Sequence, residues 1–117
     1  MCGIAGIFNL SGNDSGKYIS SDILKKMSDV IMHRGPDSEG QWISQNGSCG
    51  FSFRRLAIID LSDAGNQPMS AGDGRFTIVF NGEIYNHLEL RKELESRGYK
   101  YKSGTDTETI LYGYREF

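Results

Sequence analysis

The apolar residues of the chain fall into short runs separated by turn residues, and the spacing within each run indicates its structure. Residues 2–10 carry Ile4, Ile7 and Phe8 among small side chains, and residues 11–14 have the sequence Ser-Gly-Asn-Asp. A short apolar run that ends in turn residues is typical of a buried strand. We therefore expect the chain to begin in its core.

The next apolar run has the spacing of one face of a helix. Ser20 or Ser21 can act as its N-cap, and Asp22 places a negative charge in the first turn, where the helix dipole favours it. The helix should end before the Arg-Gly-Pro sequence at 34–36, because proline disrupts helical hydrogen bonding. Its apolar face consists of Ile23, Leu24, Met27, Val30 and Ile31.

The middle of the chain is predicted to be β-structure. Residues 40–46 and 48–60 are predicted to be strands joined by a turn at Asn46 and Gly47, a pair that suits the positive φ angles of a type I′ hairpin turn. Residues 75–80 are predicted to form an arm of a second hairpin.

Two capping patterns predict two further helices. Asn86 with Glu89, and Thr105 with Glu108, have the spacing of a capping box, and Gly98 suits the end of the first helix. The apolar residues of the two segments are Leu88, Leu90 and Leu94, then Ile110, Leu111, Tyr114 and Phe117.

The region between these helices, residues 99–102, is predicted to be a short strand. The apolar face of the last helix continues to the final residue without a C-cap glycine or a polar tail. We therefore expect residues 1–117 to be the N-terminal portion of a longer domain.

Composition excludes several classes of function. The 117 residues suffice for one modest core, and 13 Lys and Arg against 15 Asp and Glu give a net charge of −2. Without a basic patch, nucleic acid is not an expected partner. No segment approaches the roughly 18 to 20 apolar residues of a membrane-spanning helix, and the start lacks the basic region of a signal peptide. We expect a cytoplasmic protein without membrane contact.

The two cysteines, Cys2 and Cys49, are too few for a disulfide framework, so both are expected to be reduced thiols. Cys49 is interpreted as a buried small residue. His33 and His87 lack metal-ligand spacing with each other or with Cys49, so no metal site is predicted.

Cys2 is the most distinctive candidate for chemistry. Removal of Met1 would leave it with a free α-amine beside its thiol, and an amine with a pKa of about 7.7 to 8.0 can accept the thiol proton and return it to a leaving amine. Gly3 and Gly6 would let a substrate approach the backbone closely. The simpler alternative is that Cys2 is only a small apolar residue at the start of a strand.

Six motifs in order carry a family resemblance. They are Met-Cys-Gly-Ile-Ala-Gly at 1–6, His-Arg-Gly-Pro-Asp at 33–37, Arg-Leu-Ala-Ile-Ile-Asp at 55–60, Gln-Pro at 67–68, Asn-Gly-Glu-Ile-Tyr-Asn at 81–86 and Thr-Asp-Thr-Glu at 105–108. Together they resemble the class II glutamine amidotransferase domain, which belongs to the N-terminal nucleophile hydrolases.

Pro36 and the motif at 81–86 are similar in particular to asparagine synthetases. Amidotransferases of phosphoribosylamine, hexosamine or surface-polysaccharide synthesis stay open as alternatives, as does a non-catalytic glutamine-binding fragment. One departure is Phe53 before Arg54 and Arg55, where asparagine synthetases often have histidine. Because the reaction does not need that histidine, we interpret the change as a difference in packing.

The resemblance implies a role for each matching residue. Cys2 would attack the side-chain amide of glutamine, and the Asn81 side chain with the Gly82 N–H would stabilise the oxyanion. Arg55 would bind the α-carboxylate and Asp106 the α-ammonium. The simpler alternatives are a turn at 81–82, a surface ion pair for Arg55 and a helix cap for Asp106. The remaining implied residues are Ile58, Ile59 and Glu83 in the substrate site, and Arg34 and Asp37 as supports of the N-terminal residue.

The resemblance also implies a fold and partners. The fold would be α+β, a four-layer αββα sandwich of which this chain holds only the N-terminal part. This domain would need no cofactor, whereas ATP and Mg would serve a C-terminal synthetase domain that the sequence does not contain. The implied partners are glutamine, that synthetase domain and, as an open alternative, a second copy of the chain in a homodimer.

Overall fold

The computed structural model of the chain describes residues 2–10, 19–58 and 60–117. Within these ranges the chain forms two antiparallel sheets and three α-helices, so the predicted α+β class is confirmed at this level. The elements are β1 (Gly3–Phe8), α1 (Ser21–Val30), β2 (Ser38–Ile43), β3 (Cys49–Arg55), β4 (Met69–Ser70), β5 (Thr77–Ile78), α2 (His87–Ser96) and α3 (Asp106–Glu116). Single turns of 3-10 helix occur at Met32–Arg34 and Asp63–Gly65.

The larger sheet has the strand order β1-β3-β2, and α1 covers one of its faces. Leu24 of α1 is fully buried there. A Cβ atom on Gly50 of β3 would lie 2.5 Å from Ile19, so glycine allows this close contact. Arg54, on the same face, donates to the carbonyl oxygen of Ser28 at 3.2 Å. The helix is thus fixed to the sheet by both apolar and polar contacts.

The opposite face of the larger sheet is apolar and partly open. Ile4 lies opposite Phe53 in the pairing of β1 with β3, and Trp42 stacks on Phe51 with ring centroids 5.5 Å apart. Ile4 is 43% exposed and Phe8 is 67% exposed. The prediction that the first strand is buried is therefore wrong for this face, because no described element covers these side chains.

The predicted helices are confirmed, but the capping boxes are wrong. Ser20 caps α1 by accepting a hydrogen bond from the N–H of Ile23 at 3.3 Å. The side chains of Asn86 and Thr105 make no such bond at the starts of α2 and α3. Gly98 ends α2 with φ of 97°, as predicted for a glycine after a helix.

The predicted type I′ turn is also wrong. Gly47 has a positive φ of 68° but Asn46 does not, and the N–H of Gly47 donates to the carbonyl of Ser44 at 2.8 Å. The strand predicted over 48–60 ends at Arg55. The N–H of the next residue, Leu56, donates to Sγ of Cys2 and not to a neighbouring strand. The turn predicted at 11–14 lies outside the described residues.

The second hairpin is confirmed in a shorter form, with β5 paired to β4. The strand predicted at 99–102 is wrong. There, the N–H groups of Lys102 and Ser103 donate to the carboxylate of Glu108 on α3, at 2.9 and 2.8 Å, so they do not take part in a sheet. This buried carboxylate holds the segment that leads into α3.

Candidate active site

A cavity of about 420 Å³ lies where the end of β3, the segment after β5 and the first turn of α3 meet. It brings together residues from separate motifs of the sequence. The predicted site residues that line it are Cys2, Arg55, Ile58, Asn81, Gly82, Glu83 and Asp106.

The other predicted site residues lie elsewhere. Ile59 lies outside the described residues. Arg34 and Asp37 do not line the cavity. Asp37 accepts a hydrogen bond from the N–H of Ala57 at 2.8 Å, so it braces the segment that follows β3. Arg34 packs near the start of β1, where a Cβ atom on Gly3 would lie 3.2 Å from the Arg34 Cβ.

The Cys2 thiol is held at the entrance to β1 by backbone contacts. Its Sγ atom accepts from the N–H of Leu56 at 3.3 Å and lies 3.6 Å from the Leu56 carbonyl oxygen. Pairing of Gly3 with Arg54 fixes β1 beside β3 immediately after this residue. The half-buried thiol is therefore fixed in position at one wall of the cavity.

Arg55, the last residue of β3, provides a buried positive charge. Its side chain donates to the carbonyl oxygen of Ser62 at 2.7 Å, to Oδ1 of Asn66 at 2.8 Å and to the carbonyl oxygen of Asp60. All three are neutral acceptors. Among the described residues no carboxylate forms an ion pair with Arg55.

Gly65 makes room for this guanidinium. A Cβ atom at Gly65 would lie 2.4 Å from Nη2 of Arg55 and 2.9 Å from Cγ2 of Thr105, distances that real side chains do not tolerate. Since Arg55 is anchored to Ser62 and Asn66, it cannot retreat without losing hydrogen bonds. Glycine at this position therefore sets where the positive charge lies.

Asp106, the first residue of α3, provides a buried negative charge. It is 5% exposed, and its Oδ2 atom accepts from the N–H of Ile84 at 2.8 Å. The start of a helix stabilises a carboxylate. Across the ranges that the structure covers, no Lys, Arg or His forms an ion pair with it. The cavity thus contains a cation and an anion, neither of which forms an ion pair within 4.0 Å among the described residues.

Asn81 and Gly82 lie in the segment after β5. The Asn81 side chain is exposed and has no hydrogen-bond partner among the described residues, so its amide can donate to a ligand. A Cβ atom on Gly82 would lie 2.8 Å from the ring of Phe80, so a larger residue there would have to displace the ring. The backbone and side chain of this pair offer two donors next to each other.

Asp60 belongs to the site although the sequence did not single it out. Its carboxylate accepts from the hydroxyl and N–H of Ser62, at 2.6 and 2.8 Å, and from the N–H of Gly104 at 2.8 Å. The hydroxyl of Ser62, then the N–H groups, lower the pKa of Asp60 to about 2. Asp60 therefore joins the loop after β3 to the loop before α3. The Asp-x-Ser spacing, common in turns that are closed by an aspartate side chain, was the available signal.

In the described part of the chain, no group of three or more His, Cys, Asp or Glu residues could hold a metal ion. None of the helices in that part is both long enough and apolar enough to cross a bilayer. Cys49 lies on β3 outside the cavity, and burial raises the pKa of its thiol.

Comparison with known proteins adds to this geometry. Residues 1–117 match the family model described as a glutamine amidotransferase domain. Asparagine synthetase [glutamine-hydrolyzing] 1 of Bacillus subtilis (strain 168) is 44% identical over 117 residues, and asparagine synthetase [glutamine-hydrolyzing] of Asparagus officinalis is 40% identical over 116 residues. Amidase chry2 of Gibberella zeae is 33% identical over 123 residues. These matches cover 100%, 99% and 100% of this chain, respectively. The chain spans 18% of the length of each of these relatives.

Proposed function

The chain belongs to the glutamine amidotransferase family, and from that premise we propose that it is the glutaminase portion of an asparagine synthetase. In this role it would release ammonia from the side-chain amide of glutamine. The observation that carries the proposal is the pair of buried charges, Arg55 and Asp106, in the same cavity as the Cys2 thiol.

The two charges suit the head group of a free amino acid. A carboxylate can accept hydrogen bonds from the guanidinium of Arg55, and an ammonium can donate to the second oxygen of Asp106. Leaving two buried charges unpaired is unfavourable, so a zwitterion that neutralises both gains binding free energy. A peptide-bonded glutamine lacks these two free charges, so the site would select the free amino acid.

The thiol is proposed to act as a nucleophile. Sγ of Cys2 would attack the amide carbon of glutamine, forming a C–S bond while the thiol proton moves to the α-amine that removal of Met1 exposes. That amine would return the proton to the leaving nitrogen as the C–N bond breaks, giving ammonia and a glutamyl thioester. Water would then hydrolyse the thioester to glutamate and regenerate the thiol.

The oxyanion formed by this attack needs donors aimed at the developing charge. We assign the Asn81 side-chain amide and the Gly82 N–H to this role because both line the cavity and the Asn81 side chain is without a described protein partner. Loss of one such donor typically costs about 2.7 to 4 kcal/mol in the transition state.

The remaining residues are proposed to support binding. Glu83 and Ile58 line the cavity and would contact the amino-acid head group, with Ile59 beside them in the sequence. Asp37 would act indirectly, since its bond to Ala57 braces the segment that holds Cys2. Arg34 would pack against the start of β1.

The open apolar face of the larger sheet supports a finer proposal for the fold. In a four-layer αββα sandwich, a second sheet would cover Ile4 and Phe8, which are exposed here. Chain outside these 117 residues would supply that sheet. A second copy of the chain is the alternative cover. That alternative requires a homodimer, whereas a second sheet from the same chain does not.

The acceptor of the ammonia is proposed from the relatives. Two of those compared are named asparagine synthetases, which favours ATP-dependent amidation of aspartate in another domain, where ATP and Mg would bind. The match to amidase chry2 favours a second candidate, in which the same glutaminase reaction supplies another acceptor. In either case this domain would use no cofactor of its own.

The test uses glutamine and 4-aminobutanamide, a truncated analogue that lacks the carboxylate, with the full-length protein. Arg55→Ala should lower kcat/KM for glutamine by at least about 10-fold, because a buried charged hydrogen bond contributes about 1.5 to 3 kcal/mol. The same substitution should leave kcat/KM for 4-aminobutanamide nearly unchanged, because that analogue has no carboxylate to bind.

The matched control is Arg115→Ala, which removes a half-exposed arginine paired with Asp73 at 3.1 Å. It should change neither value. Equal losses for glutamine and 4-aminobutanamide in Arg55→Ala would remove Arg55 from carboxylate binding. Absence of Cys2-dependent glutamine hydrolysis in the wild-type protein would refute the proposed function.

A further inference from the structure

Gln67 has a buried side chain that joins three parts of the site. It lies just before β4 and is 8% exposed. Its Oε1 atom accepts from the N–H of Phe80 at 2.6 Å, and its Nε2 atom donates to the carbonyl oxygen of Phe80 at 3.2 Å. Nε2 also lies 3.2 Å from Oγ1 of Thr107 on α3, as a donor to it.

The two bonds to Phe80 replace a missing strand neighbour. β5 ends at Ile78, so Phe80 lies beyond the ladder that β4 provides. A primary amide carries a donor and an acceptor side by side, as a neighbouring strand does, and can satisfy both backbone groups of one residue. The Gln67 side chain therefore fixes the backbone of Phe80 without a sheet.

Phe80 in turn determines where the next two residues lie. It immediately precedes Asn81 and Gly82, and its ring lies so close to Gly82 that a Cβ atom there would be 2.8 Å away. Asn81 makes no side-chain bond of its own to the described residues, so the backbone before it is its main restraint. The bond from Gln67 to Thr107 ties the same amide to the residue after Asp106.

We propose that Gln67 is a positioning residue for glutamine hydrolysis, holding the Asn81 and Gly82 donors in register with the oxyanion through Phe80. The inference rests on the proposed function of this site. Gln67 acts through the backbone of Phe80, and its bond to Thr107 keeps the donor pair aligned with the start of α3.

The first test is Gln67→Met in the full-length protein, which keeps the side-chain length but removes the amide. A displacement of about 1 Å in a catalytic group can reduce a rate by about 100-fold. We expect kcat for glutamine to fall by about 10- to 100-fold while KM changes by less than about 3-fold, because the charges that bind the head group are retained.

The second test is Gln67→Glu, which distinguishes positioning from general damage. An ionised glutamate can accept from the N–H of Phe80 but cannot donate to its carbonyl, whereas a protonated one can do both. Burial favours the protonated form. The ratio of Gln67→Glu activity to wild-type activity should therefore rise as the pH is lowered from 8 to 6. Because protonation of a buried glutamate also stabilises the fold, the ratio is taken per folded protein at each pH. A variant that is merely unstable would then show a flat or falling ratio.

The control is Gln41→Met, which removes a side-chain amide on β2 that accepts from Ser21 at 2.6 Å and lies outside the cavity. It should leave kcat and KM unchanged. Thermal unfolding of each variant monitors folding.

The outcomes separate this inference from the proposed function. Wild-type protein without Cys2-dependent glutaminase would overturn both. Wild-type activity together with an unchanged kcat in Gln67→Met would overturn only the role of Gln67. If Gln67→Met does not fold, the pH ratio of Gln67→Glu decides: a rise at low pH supports positioning through Phe80, and a flat or falling ratio contradicts it.

Discussion

At the scale of single residues, the site combines residues that the sequence indicated with others that it did not. Cys2, Arg55, Asn81 and Asp106 belong to motifs, so resemblance predicted their roles, and the structure places all four around one cavity. No sequence motif indicates a role for Gly65. Its importance comes from contact with an arginine ten residues earlier, and such a contact cannot be predicted from the local sequence.

Gly65→Ala should raise the KM for glutamine. The added Cβ atom would lie 2.4 Å from Nη2 of Arg55 and would displace the guanidinium from its position. Partial loss of one charged hydrogen bond to the substrate predicts an increase of about 10-fold, with a smaller effect on kcat. Steady-state glutamate release measures both values.

The matched control is Gly72→Ala, because a Cβ atom at Gly72 would meet no heavy atom within 4 Å. Its KM should equal that of the wild type. An unchanged KM in Gly65→Ala would show that Arg55 does not depend on this glycine.

At the scale of elements, periodicity and turn residues predicted the helices well and the connections poorly. α1 begins after Ser20, as its cap and apolar face predicted. The capping boxes at Asn86 and Thr105 do not form, and Glu108 binds the backbone at 102–103. A carboxylate satisfies whichever N–H groups the tertiary fold brings near it, and spacing along the chain does not reveal that choice.

Asp60 makes a pH-dependent connection between two loops of the site. Its pKa is lowered from 3.8 to about 2, mainly by the hydroxyl of Ser62 and the N–H of Gly104. A carboxyl group with a depressed pKa in the folded state stabilises the protein above pH about 4, and that contribution is lost as the pH falls towards 2.

Asp60→Asn should therefore lower the urea midpoint at pH 6, and its difference from the wild type should shrink as the pH falls from 4 to 2. Unfolding curves at a series of pH values measure this difference. Asp22→Asn is the control for loss of an exposed carboxylate, and because among the described residues Asp22 interacts only with the start of α1, its effect at pH 6 should be smaller than that of Asp60→Asn. A difference that stays constant down to pH 2 would contradict the assigned role of the Asp60 carboxylate.

At the scale of the whole molecule, one face of the larger sheet is covered by α1 and the other is partly open. The sequence predicted the strand β1 but not that Phe8 would be 67% exposed. Apolar character predicts burial only when every covering element is present. The proposed second sheet accounts for both the apolar character of this face and its exposure in the described chain.

In the full-length protein, Phe8→Ser should lower the free energy of unfolding by about 3 kcal/mol or more, the usual cost of removing a large buried aromatic side chain. Leu88→Ser is the control, because Leu88 is 63% exposed and lies on α2, away from this face. Its effect should stay within about 0.5 kcal/mol. Equally small effects of the two substitutions would mean that nothing covers the face.

The central claim is that a thiol and a free α-amine on one residue act on glutamine in this cavity. The most direct measurement is peptide mass spectrometry of the glutaminase-active protein after inactivation by a diazoketone analogue of glutamine. The account predicts an N-terminal peptide that begins at Cys2 and carries one analogue on its sulfur, in proportion to the activity lost. Active protein that retains Met1, or an analogue attached to any other residue, would contradict it.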